Sequence, residues 1–223
     1  MSLDKDFNKF SASKGISSNT LYGYSQHLNS IVSPTIVEER QLNVAMMDVF
    51  SRLMADRIIF LGAPIDSDVA NIIASQMMYL NSIDNETPIK LFLNTPGGEC
   101  VAGLQIYDVM NWVDCDVATY NMGMSASMGS ILLSSGAKGK RFALPNAEVL
   151  IHQPLIGGGV GGQATDIKII TDHLLRTKQK LTQLLADHTG QTFDKVAADT
   201  ERDNWMTAQQ ALDYGLIDQI ITK

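Results

Sequence analysis

The sequence predicts an α/β fold whose central sheet is parallel or largely parallel. Three units in series each join a short apolar strand, a turn and a helical pattern, and this alternation is typical of a parallel sheet. Two of the three turns, at 94–98 and 121–129, are rich in glycine and other small residues. Since the ligand sites of such sheets lie beyond the carboxyl ends of the strands, we expect the chemistry at these two turns.

The N-terminal segment lacks this alternation. Residues 1–33 are rich in Ser, Asn and Gly and show no sustained apolar period, which predicts a flexible N-terminal extension or a removable prosegment. One domain is expected over 34–223. From Glu38 to Arg57, apolar residues recur at helical intervals on a polar background, which predicts an amphipathic helix.

The three strand-turn-helix units come next along the chain. Their strands are short apolar runs at 57–61, 89–93 and 117–120. The first helix begins at the N-cap pair Asp66-Ser67, and the second carries apolar residues from Val101 to Val113. The third strand leads into the small-residue turn at 121–129, and the apolar residues 131–133 predict a buried helix after it.

Beyond the third helix the elements are less regular. Two strands are predicted at 140–144 and 147–151, and a glycine-rich loop follows at 156–162. A long helix is predicted over 163–188, and its period alone fits both an ordinary core helix and an arm that packs against another subunit. The remaining predicted elements are a short helix near 194–198, a helix over 208–214 capped by Gly215, and a strand over 216–221.

The composition excludes several classes of protein. With 223 residues, of which 45% are hydrophobic, the chain can bury a sizeable core. A net charge of −7 without any basic run argues against a nucleic-acid partner. The two cysteines, Cys100 and Cys115, lack metal-ligand spacing, so we expect buried reduced thiols and no metal site. Without an apolar run of about 18 to 20 residues or an export signal, a cytoplasmic protein that does not enter membranes is expected.

The turn at 121–129 offers a nucleophilic serine. A hydroxyl on a strand-to-helix turn is exposed, and the helix N-terminus favours developing negative charge. Ser127 has Gly129 two residues after it but Ser125 two residues before it, so the match to the Gly-x-Ser-x-Gly pattern is partial. A small-residue helix start that packs closely on the sheet explains the same residues equally well.

A serine nucleophile needs a base, and histidine is the side chain suited to that task near neutral pH. Three of the four histidines, His27, His173 and His188, lie in the N-terminal segment or among polar residues of the long helix, where a solvated histidine is expected. His152 instead ends an apolar strand, although a histidine at a strand end can also be structural.

The other parts of such a site are weakly marked. The orienting carboxylate cannot be derived among 24 acidic residues; the cluster at 201–205 is a candidate because Trp205 could shield a neighbouring carboxylate from water. The turn at 94–98 can bring bare main-chain amides close to a substrate carbonyl, or can simply be a tight turn before a helix. No lysine follows its glycines, which disfavours a phosphate-binding loop.

Five motifs occur in the order seen in the ClpP family of caseinolytic serine peptidases, which the chain resembles from about Ile36 to Ile221. These are Asn-Thr-Pro-Gly-Gly at 94–98, Ser-Ala-Ser-Met-Gly at 125–129, Ile-His-Gln-Pro at 151–154, Gly-Gly-Gln-Ala-Thr-Asp-Ile at 161–167 and Glu-Arg-Asp-Asn-Trp at 201–205. The resemblance implies a catalytic triad and an oxyanion hole. The nucleophile is then Ser127, the base His152 and the third member Asp203, with the amides of Gly98 and Met128 as oxyanion donors.

The resemblance also implies a fold and an assembly. The fold is the ClpP/crotonase-type spiral of strand-helix units, with a projecting handle at about 155–188, and the assembly is a homo-oligomeric tetradecamer of two stacked heptameric rings. A glycine-rich strand before the handle helix would pair with an extended peptide by β-augmentation. The residues implied are Gly97, Leu155 and Gly158 in substrate binding, and Arg202 in coupling ring stacking to the triad.

The partner implied is a hexameric AAA+ unfoldase such as ClpX or ClpA, whose hydrophobic loops would dock at Phe92 and Trp112. The unfoldase uses ATP, so no cofactor is expected in this chain. Two features depart from the usual pattern: the loop at 156–162 is longer and richer in glycine, and Lys90 stands where many members carry an aromatic residue.

The function expected is that of a serine endopeptidase subunit of a compartmentalised protease. It would degrade unfolded polypeptides through an acyl-enzyme on Ser127 and serve protein quality control in the cytoplasm. One alternative is a catalytically silent ring or scaffold subunit, whose usual sign is the loss of a triad residue. A crotonase-like acyl-CoA enzyme is the other alternative, and it would leave Ser127 and His152 without a shared task.

Overall fold

The computed structural model describes residues 3–17, 19–22, 35–40 and 43–222. The elements in chain order are α1 (Leu3–Ser13), β1 (Thr35–Arg40), β2 (Asn43–Asp48), α2 (Val49–Ala55), β3 (Ile58–Leu61), α3 (Ser67–Ile83), β4 (Ile89–Thr95), α4 (Cys100–Trp112), β5 (Val117–Ala126), α5 (Met128–Ser134), β6 (Arg141–Ala143), β7 (Glu148–Ile151), α6 (Ala164–Thr189), α7 (Phe193–Asp199), β8 (Asn204–Thr207), α8 (Ala208–Tyr214) and β9 (Gln219–Ile220).

The central sheet is largely parallel, and the predicted α/β class is confirmed. Strands β3, β4, β5, β6 and β9 lie side by side in that order, each parallel to its neighbours. β7 runs parallel to the end of β5, and β8 pairs with β7 in the antiparallel direction. Burial alternates along the strands: residues such as Leu61, Leu91 and Leu93 are fully buried, whereas Phe92 on the opposite face of β4 is half-buried.

Strand β5 changes partner halfway along its length. Its residues 119–121 pair with β6, whereas residues 124–126 pair with β7. In the second register Ala126 lies opposite Leu150. The C-terminal ends of β5 and β7 therefore emerge next to each other at one edge of the sheet.

Local capping signals place the helix ends where the sequence predicts them. The Asp66 carboxylate accepts a hydrogen bond from Val69 N at 2.8 Å and begins α3. Gly190 and Gly215 end α6 and α8 in the left-handed conformation, with φ of 74° and 94°. The long helix predicted over 163–188 is confirmed as α6, which is exposed in its first half and buried at residues such as Leu185.

The helix predicted over 38–57 is wrong for the first part of that stretch. The backbone there forms the antiparallel hairpin of β1 and β2, and only Val49–Ala55 is helical. The helix begins at this point because the Asp48 carboxylate accepts hydrogen bonds from Phe50 N and Ser51 N at 2.9 and 3.0 Å. The β-branched residues of 35–37 favour a strand, a preference that the helical spacing of the apolar residues concealed.

The N-terminal segment contains a helix that the sequence did not predict. In α1, the rings of Phe7 and Phe10 contact the ring of Tyr79 on α3, with centroids 5.8 and 5.4 Å apart. The two aromatic residues of this three-turn helix are too few to be recognised as a helical apolar pattern in the sequence. The boundary at residue 33 and a removable prosegment stay predictions, and residues 23–34, which include His27, lie outside the described residues.

The glycine-rich strand implied before α6 is absent: all residues from 152 to 163 are described, and none is in a strand. Gly158, Gly159 and Gly162 have φ of +86°, +82° and +132°, and such backbone cannot form an extended ladder. At the C-terminus, the strand predicted over 216–221 is reduced to β9, and β8 was not predicted because its four residues alternate too briefly to be recognised.

Arg141 joins the C-terminal elements to the sheet. Its guanidinium donates to both carboxylate oxygens of Asp218, at 2.6 and 2.9 Å. It also donates to the carbonyl oxygens of Ser134, His188 and Gly215, at 3.3, 3.0 and 2.9 Å. The Arg141 side chain is only 9% exposed, so its charge is buried and fully hydrogen-bonded.

Candidate active site

The strand-to-helix turn holds Ser127 in an unusual backbone conformation. Ser127 follows β5 with φ of 55° and ψ of −120°, in a region that non-glycine residues rarely adopt. Its amide donates to Leu150 O at 2.9 Å, and its carbonyl accepts from Ser130 N at 2.9 Å and from Ser130 Oγ at 2.6 Å. These bonds fix the turn and leave the Ser127 side chain partly exposed.

Small residues around this turn are required by packing. A Cβ atom on Gly97 would lie 2.5 Å from Ala126 O and 2.7 Å from Ser127 Cβ. A Cβ atom on Gly129 would lie 2.8 Å from Thr95 Cγ2. Ser125, the other serine of the motif, is fully buried, and its Oγ has no hydrogen-bond partner in the described part of the chain. A buried hydroxyl cannot meet a substrate, so Ser127 is the available nucleophile of this turn.

His152 follows β7 and lies next to Asp203. The distance from His152 Nδ1 to Asp203 Oδ1 is 3.1 Å, within hydrogen-bonding range. The two segments are also joined by the main chain, because Gln153 N donates to Thr200 O at 2.7 Å. A carboxylate in this position holds the imidazole with its other nitrogen, Nε2, free to accept a proton.

The idea that Trp205 shields the candidate carboxylate is wrong. The Asp203 side chain is 67% exposed, and Trp205 is itself 48% exposed on β8. β8 pairs only with β7, and its alternate residues point to solvent. A four-residue edge strand cannot cover the loop that precedes it.

Ser127 and His152 line the same pocket, although no hydrogen bond joins their side chains, both of which belong to the described residues. Serine–base contacts of free enzymes are often long and close only around a substrate. The pocket runs from Ser127 between α4, α5 and α6, and its lining is Cys100, Met128, Ser130, Ile131, Gln153, Pro154, Lys178, Leu181, Thr182, Leu185 and Thr200. Burial raises the pKa of the Cys100 thiol, so Cys100 contributes a neutral side chain to the wall.

The contribution of α6 to this pocket was missed from the sequence. Residues 178, 181, 182 and 185 share one helical face, at the i, i+3, i+4, i+7 spacing. The spacing was visible in the sequence, but it does not say which part of the fold the face would meet. The approach of α6 to β7 is set by the chain that joins them, 152–163, which contains no helix or strand.

Two main-chain amides, those of Gly98 and Met128, belong to turns that pack next to Ser127 in the chain or in the fold. Gly97 and Gly98 have φ of 86° and 154°, values that favour glycine, and a Cβ on Gly98 would collide with the Ile65 main chain. Met128 is the first residue of α5, where a helix leaves its amides without internal acceptors. No main-chain hydrogen bond among the described residues uses the amide of Gly98 or Met128. Both amides are therefore without a main-chain acceptor within those residues.

The other candidate residues lie away from this pocket. Leu155 is 69% exposed, and a Cβ on Gly158 would meet open space. The Arg202 guanidinium donates to Glu201 O at 3.4 Å on an exposed loop.

An aromatic row crosses the sheet on the face that carries Phe92. The ring of Phe92 stacks on Tyr120 at 4.5 Å between centroids, and Tyr120 stacks on Phe142 at 4.8 Å. The three residues are aligned in the strand registers of β4, β5 and β6. Trp112, at the end of α4, is 66% exposed.

His188, expected on a solvated helix face, is half-buried instead. Its Nδ1 lies 3.1 Å from Ser134 Oγ and its ring lies beside Tyr107, with centroids 5.6 Å apart. Burial, helped by the charge of Arg141, lowers the pKa of His188, which keeps the imidazole neutral near neutral pH. His188 does not line the Ser127 pocket, and its contacts with Ser134 and Tyr107 indicate a packing role.

The described residues contain neither a metal-site cluster nor a membrane-spanning helix. No cluster of three or more His, Cys, Asp and Glu side chains has the arrangement of a metal site. Within the same residues, no helix combines the length and the apolar character that crossing a bilayer demands.

Comparisons with known proteins show which family the chain is similar to. The family model described as Clp protease matches residues 40–223. A protein of Porphyromonas gingivalis named ATP-dependent Clp protease proteolytic subunit is 53% identical over 209 residues, which cover 94% of this chain and 93% of that protein. A protein of the same name from Bacteroides fragilis is 49% identical over 219 residues, covering 98% and 99% of the two chains.

Proposed function

The chain belongs to the Clp protease family, and we propose that it is the proteolytic subunit of an ATP-dependent Clp protease, a serine endopeptidase whose nucleophile is Ser127. The observation that carries the site assignment is the meeting of Ser127 and His152 in one pocket, with Asp203 on the far nitrogen of the imidazole. A silent scaffold subunit and an acyl-CoA enzyme are not favoured, because relatives over nearly the whole chain are named as proteolytic subunits.

In the proposed acylation step, Ser127 Oγ attacks the carbonyl carbon of the scissile peptide bond while its proton passes to His152 Nε2. Asp203 Oδ1 accepts the hydrogen bond from His152 Nδ1 and stabilises the imidazolium that forms. The imidazolium then donates its proton to the leaving amine as the carbon–nitrogen bond breaks. This leaves an acyl-enzyme ester on Ser127.

Charge on the carbonyl oxygen is greatest in the tetrahedral intermediate. The amides of Gly98 and Met128 are the proposed donors to that oxygen, and each such donor contributes about 10²- to 10³-fold to turnover in serine peptidases. In deacylation, His152 takes a proton from water as the water oxygen attacks the ester carbon. The bond between that carbon and Ser127 Oγ then breaks, the peptide leaves as a carboxylic acid, and Ser127 Oγ takes the proton from the imidazolium. The apolar wall formed by residues such as Ile131 and Leu181 suits an apolar substrate side chain next to the cleaved bond.

Membership of the family supports a partnership with Clp ATPases and with polypeptide substrates, and the ATP is used by the ATPase rather than by this chain. We place the ATPase contact at the exposed Trp112 and the aromatic row of Phe92, where the hydrophobic loops of a AAA+ partner could dock. Lys90, exposed on the same strand, narrows the apolar area available there.

The proposed assembly is two stacked heptameric rings in the cytoplasm. Its support in this chain is the first half of α6, where four large apolar side chains are exposed: Ile167, Ile169, Ile170 and Leu175. Exposed apolar side chains along one helix favour packing against a second copy. Arg202, exposed one residue before Asp203, remains the proposed link between ring contact and the triad.

Labelling with a fluorophosphonate tests the assignment of the nucleophile directly. The assembled protein is treated with the probe, digested and analysed by mass spectrometry, and the label is expected on Ser127. Ser127→Ala should abolish labelling, whereas Ser125→Ala, two residues away, should retain it. Label on a different serine, or none on the assembled protein, would overturn the proposed mechanism.

A further inference from the structure

A lysine of α6 connects the two chain segments that hold the proposed base and its carboxylate. Lys178 Nζ donates to Gln153 Oε1 at 2.7 Å and to Glu201 Oε2 at 3.0 Å. Gln153 Nε2 in turn donates to Glu201 O at 2.9 Å. These three residues, the Lys178 cluster, form a closed set of contacts among α6, the end of β7 and the loop before β8.

The Lys178 cluster is adjacent in sequence to the proposed catalytic groups. Gln153 directly follows His152, and Glu201 lies two residues before Asp203. The hydrogen bond from Lys178 is the main reason that the pKa of Glu201 is lowered, so this carboxylate stays ionised and keeps its contact with the ammonium group. Displacement of Lys178 would remove a side-chain contact from both segments at once.

The pair of His152 and Asp203 needs such support. Because Asp203 is 67% exposed, its contact with the imidazole is weakened by water and contributes little to its own geometry. Glu201 and Asp203 lie on a loop between α7 and β8, without a helix or strand of its own. The supports of this loop toward His152 are the pairing of Ile151 with Asn204, the main-chain bond from Gln153 and the Lys178 cluster.

Lys178 occupies a distinct point on α6. The residues of α6 before it are exposed or half-buried, and the fully buried residues of the helix begin at Leu181. Lys178, whose side chain is 28% exposed, is thus the place where the projecting half of α6 meets the site. We propose that Lys178 is a positioning residue for peptide hydrolysis, whose ammonium group aligns His152 with Asp203 by tying both of their segments to α6.

This inference rests on the proposed function, since alignment matters only if the pair acts on Ser127. The first experiment measures hydrolysis of a short fluorogenic peptide by assembled wild type, K178M and K178R. We expect kcat of K178M to fall about 10- to 100-fold, as for other residues that orient a catalytic group. KM should stay within about twofold, because an interaction lost from the transition state alone lowers kcat. K178R, which keeps the charge and the donors, should recover most of the activity.

K140M is the matched control. Lys140 also pairs with a carboxylate, Asp116, at 2.7 Å, but this pair is exposed and neither residue lines the Ser127 pocket. The kcat of K140M should equal that of the wild type. Sedimentation of each variant checks that the rings assemble, and equal sedimentation with a reduced kcat in K178M supports positioning over assembly.

The second experiment asks whether Lys178 acts through Asp203. The rate constant for fluorophosphonate labelling of Ser127 is measured in wild type, K178M, D203N and the double variant. If Lys178 acts by aligning this carboxylate, K178M should slow labelling in the wild type and have little further effect in D203N. Equal loss from K178M in both backgrounds, or wild-type kcat in K178M while D203N is impaired, would overturn this inference alone. Unimpaired D203N would overturn the proposed triad, and the inference with it.

Discussion

Replacement of Arg141 by methionine should strongly destabilise the protein. The guanidinium makes five side-chain hydrogen bonds within the described residues, two to Asp218 and three to main-chain carbonyls. Methionine has a similar length but no side-chain donor. It would leave the largely buried carboxylate with main-chain donors only, such as the amide of residue 141, and it would remove the side-chain donor to three carbonyl oxygens. Removing one member of a buried ion pair typically costs about 3 to 5 kcal/mol of the free energy of unfolding. For a chain of this size, that cost lowers Tm by about 6 to 20 °C.

Lys140 gives an internal comparison one residue away. Its ion pair with Asp116 is exposed, at 39% and 55% for the two side chains, and exposed pairs contribute about 0 to 1 kcal/mol. R141M and K140M should be compared by urea unfolding and by thermal unfolding at one protein concentration, because the stability of an assembly depends on concentration. If R141M unfolds within about 1 kcal/mol of K140M, the reasoning about the buried network is refuted.

The acid sensitivity of the wild type and of R141M should differ as well. Burial opposes ionisation of Asp218, but the hydrogen bonds and charge of Arg141 outweigh it and lower the pKa of this carboxyl. A lowered folded-state pKa contributes stability above the unfolded-state pKa, and that contribution is lost as the pH falls through the folded-state value. R141M lacks the guanidinium that lowers the pKa of Asp218 through its hydrogen bonds and charge, and it keeps only the main-chain amides of residues 139 and 141. Its Tm should therefore fall less than that of the wild type when the pH is reduced from about 7 to about 3.

Three further substitutions test the site. Asp203→Asn should lower peptide turnover by about 10⁴-fold with assembly intact, and near-normal hydrolysis would refute the triad. Ser125→Ala removes a buried hydroxyl without a partner, so urea unfolding should show equal or greater stability, by about 1 kcal/mol, and a clear loss would show that the hydroxyl has a role. Gly97→Ala places a Cβ against Ala126 O and Ser127 Cβ, so labelling of Ser127 should slow at least about tenfold, a loss of about 1.4 kcal/mol. Gly139→Ala, at φ of 81° in open space, is its control, and equal effects of the two would contradict the packing argument.

The features that were predictable from the sequence are those that a few neighbouring residues decide. Asp66 caps α3 through an amide three residues away, and Gly215 ends α8 through its own backbone freedom. Parallel strands followed by helices are also visible as local alternation. The prediction for 38–57 failed because the apolar spacing fits a helix while the backbone of the first part forms a hairpin. The spacing alone does not distinguish the two.

What could not be predicted depends on contacts between distant parts of the chain. The pairing of Ala126 with Leu150 brings Ser127 and His152 to one edge of the sheet, and nothing near either residue specifies that register. The exposure of Asp203 depends on the length of a neighbouring edge strand. The contact of Lys178 with Glu201 needs α6 to return across the end of β7, and the intervening glycines leave its direction open.

The backbone of Ser127 also decides how an inactive form of this protein should be made. A residue with a side chain at φ of 55° and ψ of −120° stores strain of about 1 to 3 kcal/mol, which the surrounding hydrogen bonds sustain. Glycine would relieve that strain, so Ser127→Gly would gain stability while freeing the turn that presents the Met128 amide. Alanine removes only the hydroxyl and leaves the backbone strain of the turn unchanged. For capturing bound polypeptides at an otherwise unaltered site, Ser127→Ala is therefore the suitable inactive variant, whereas the more stable glycine variant would change the turn itself.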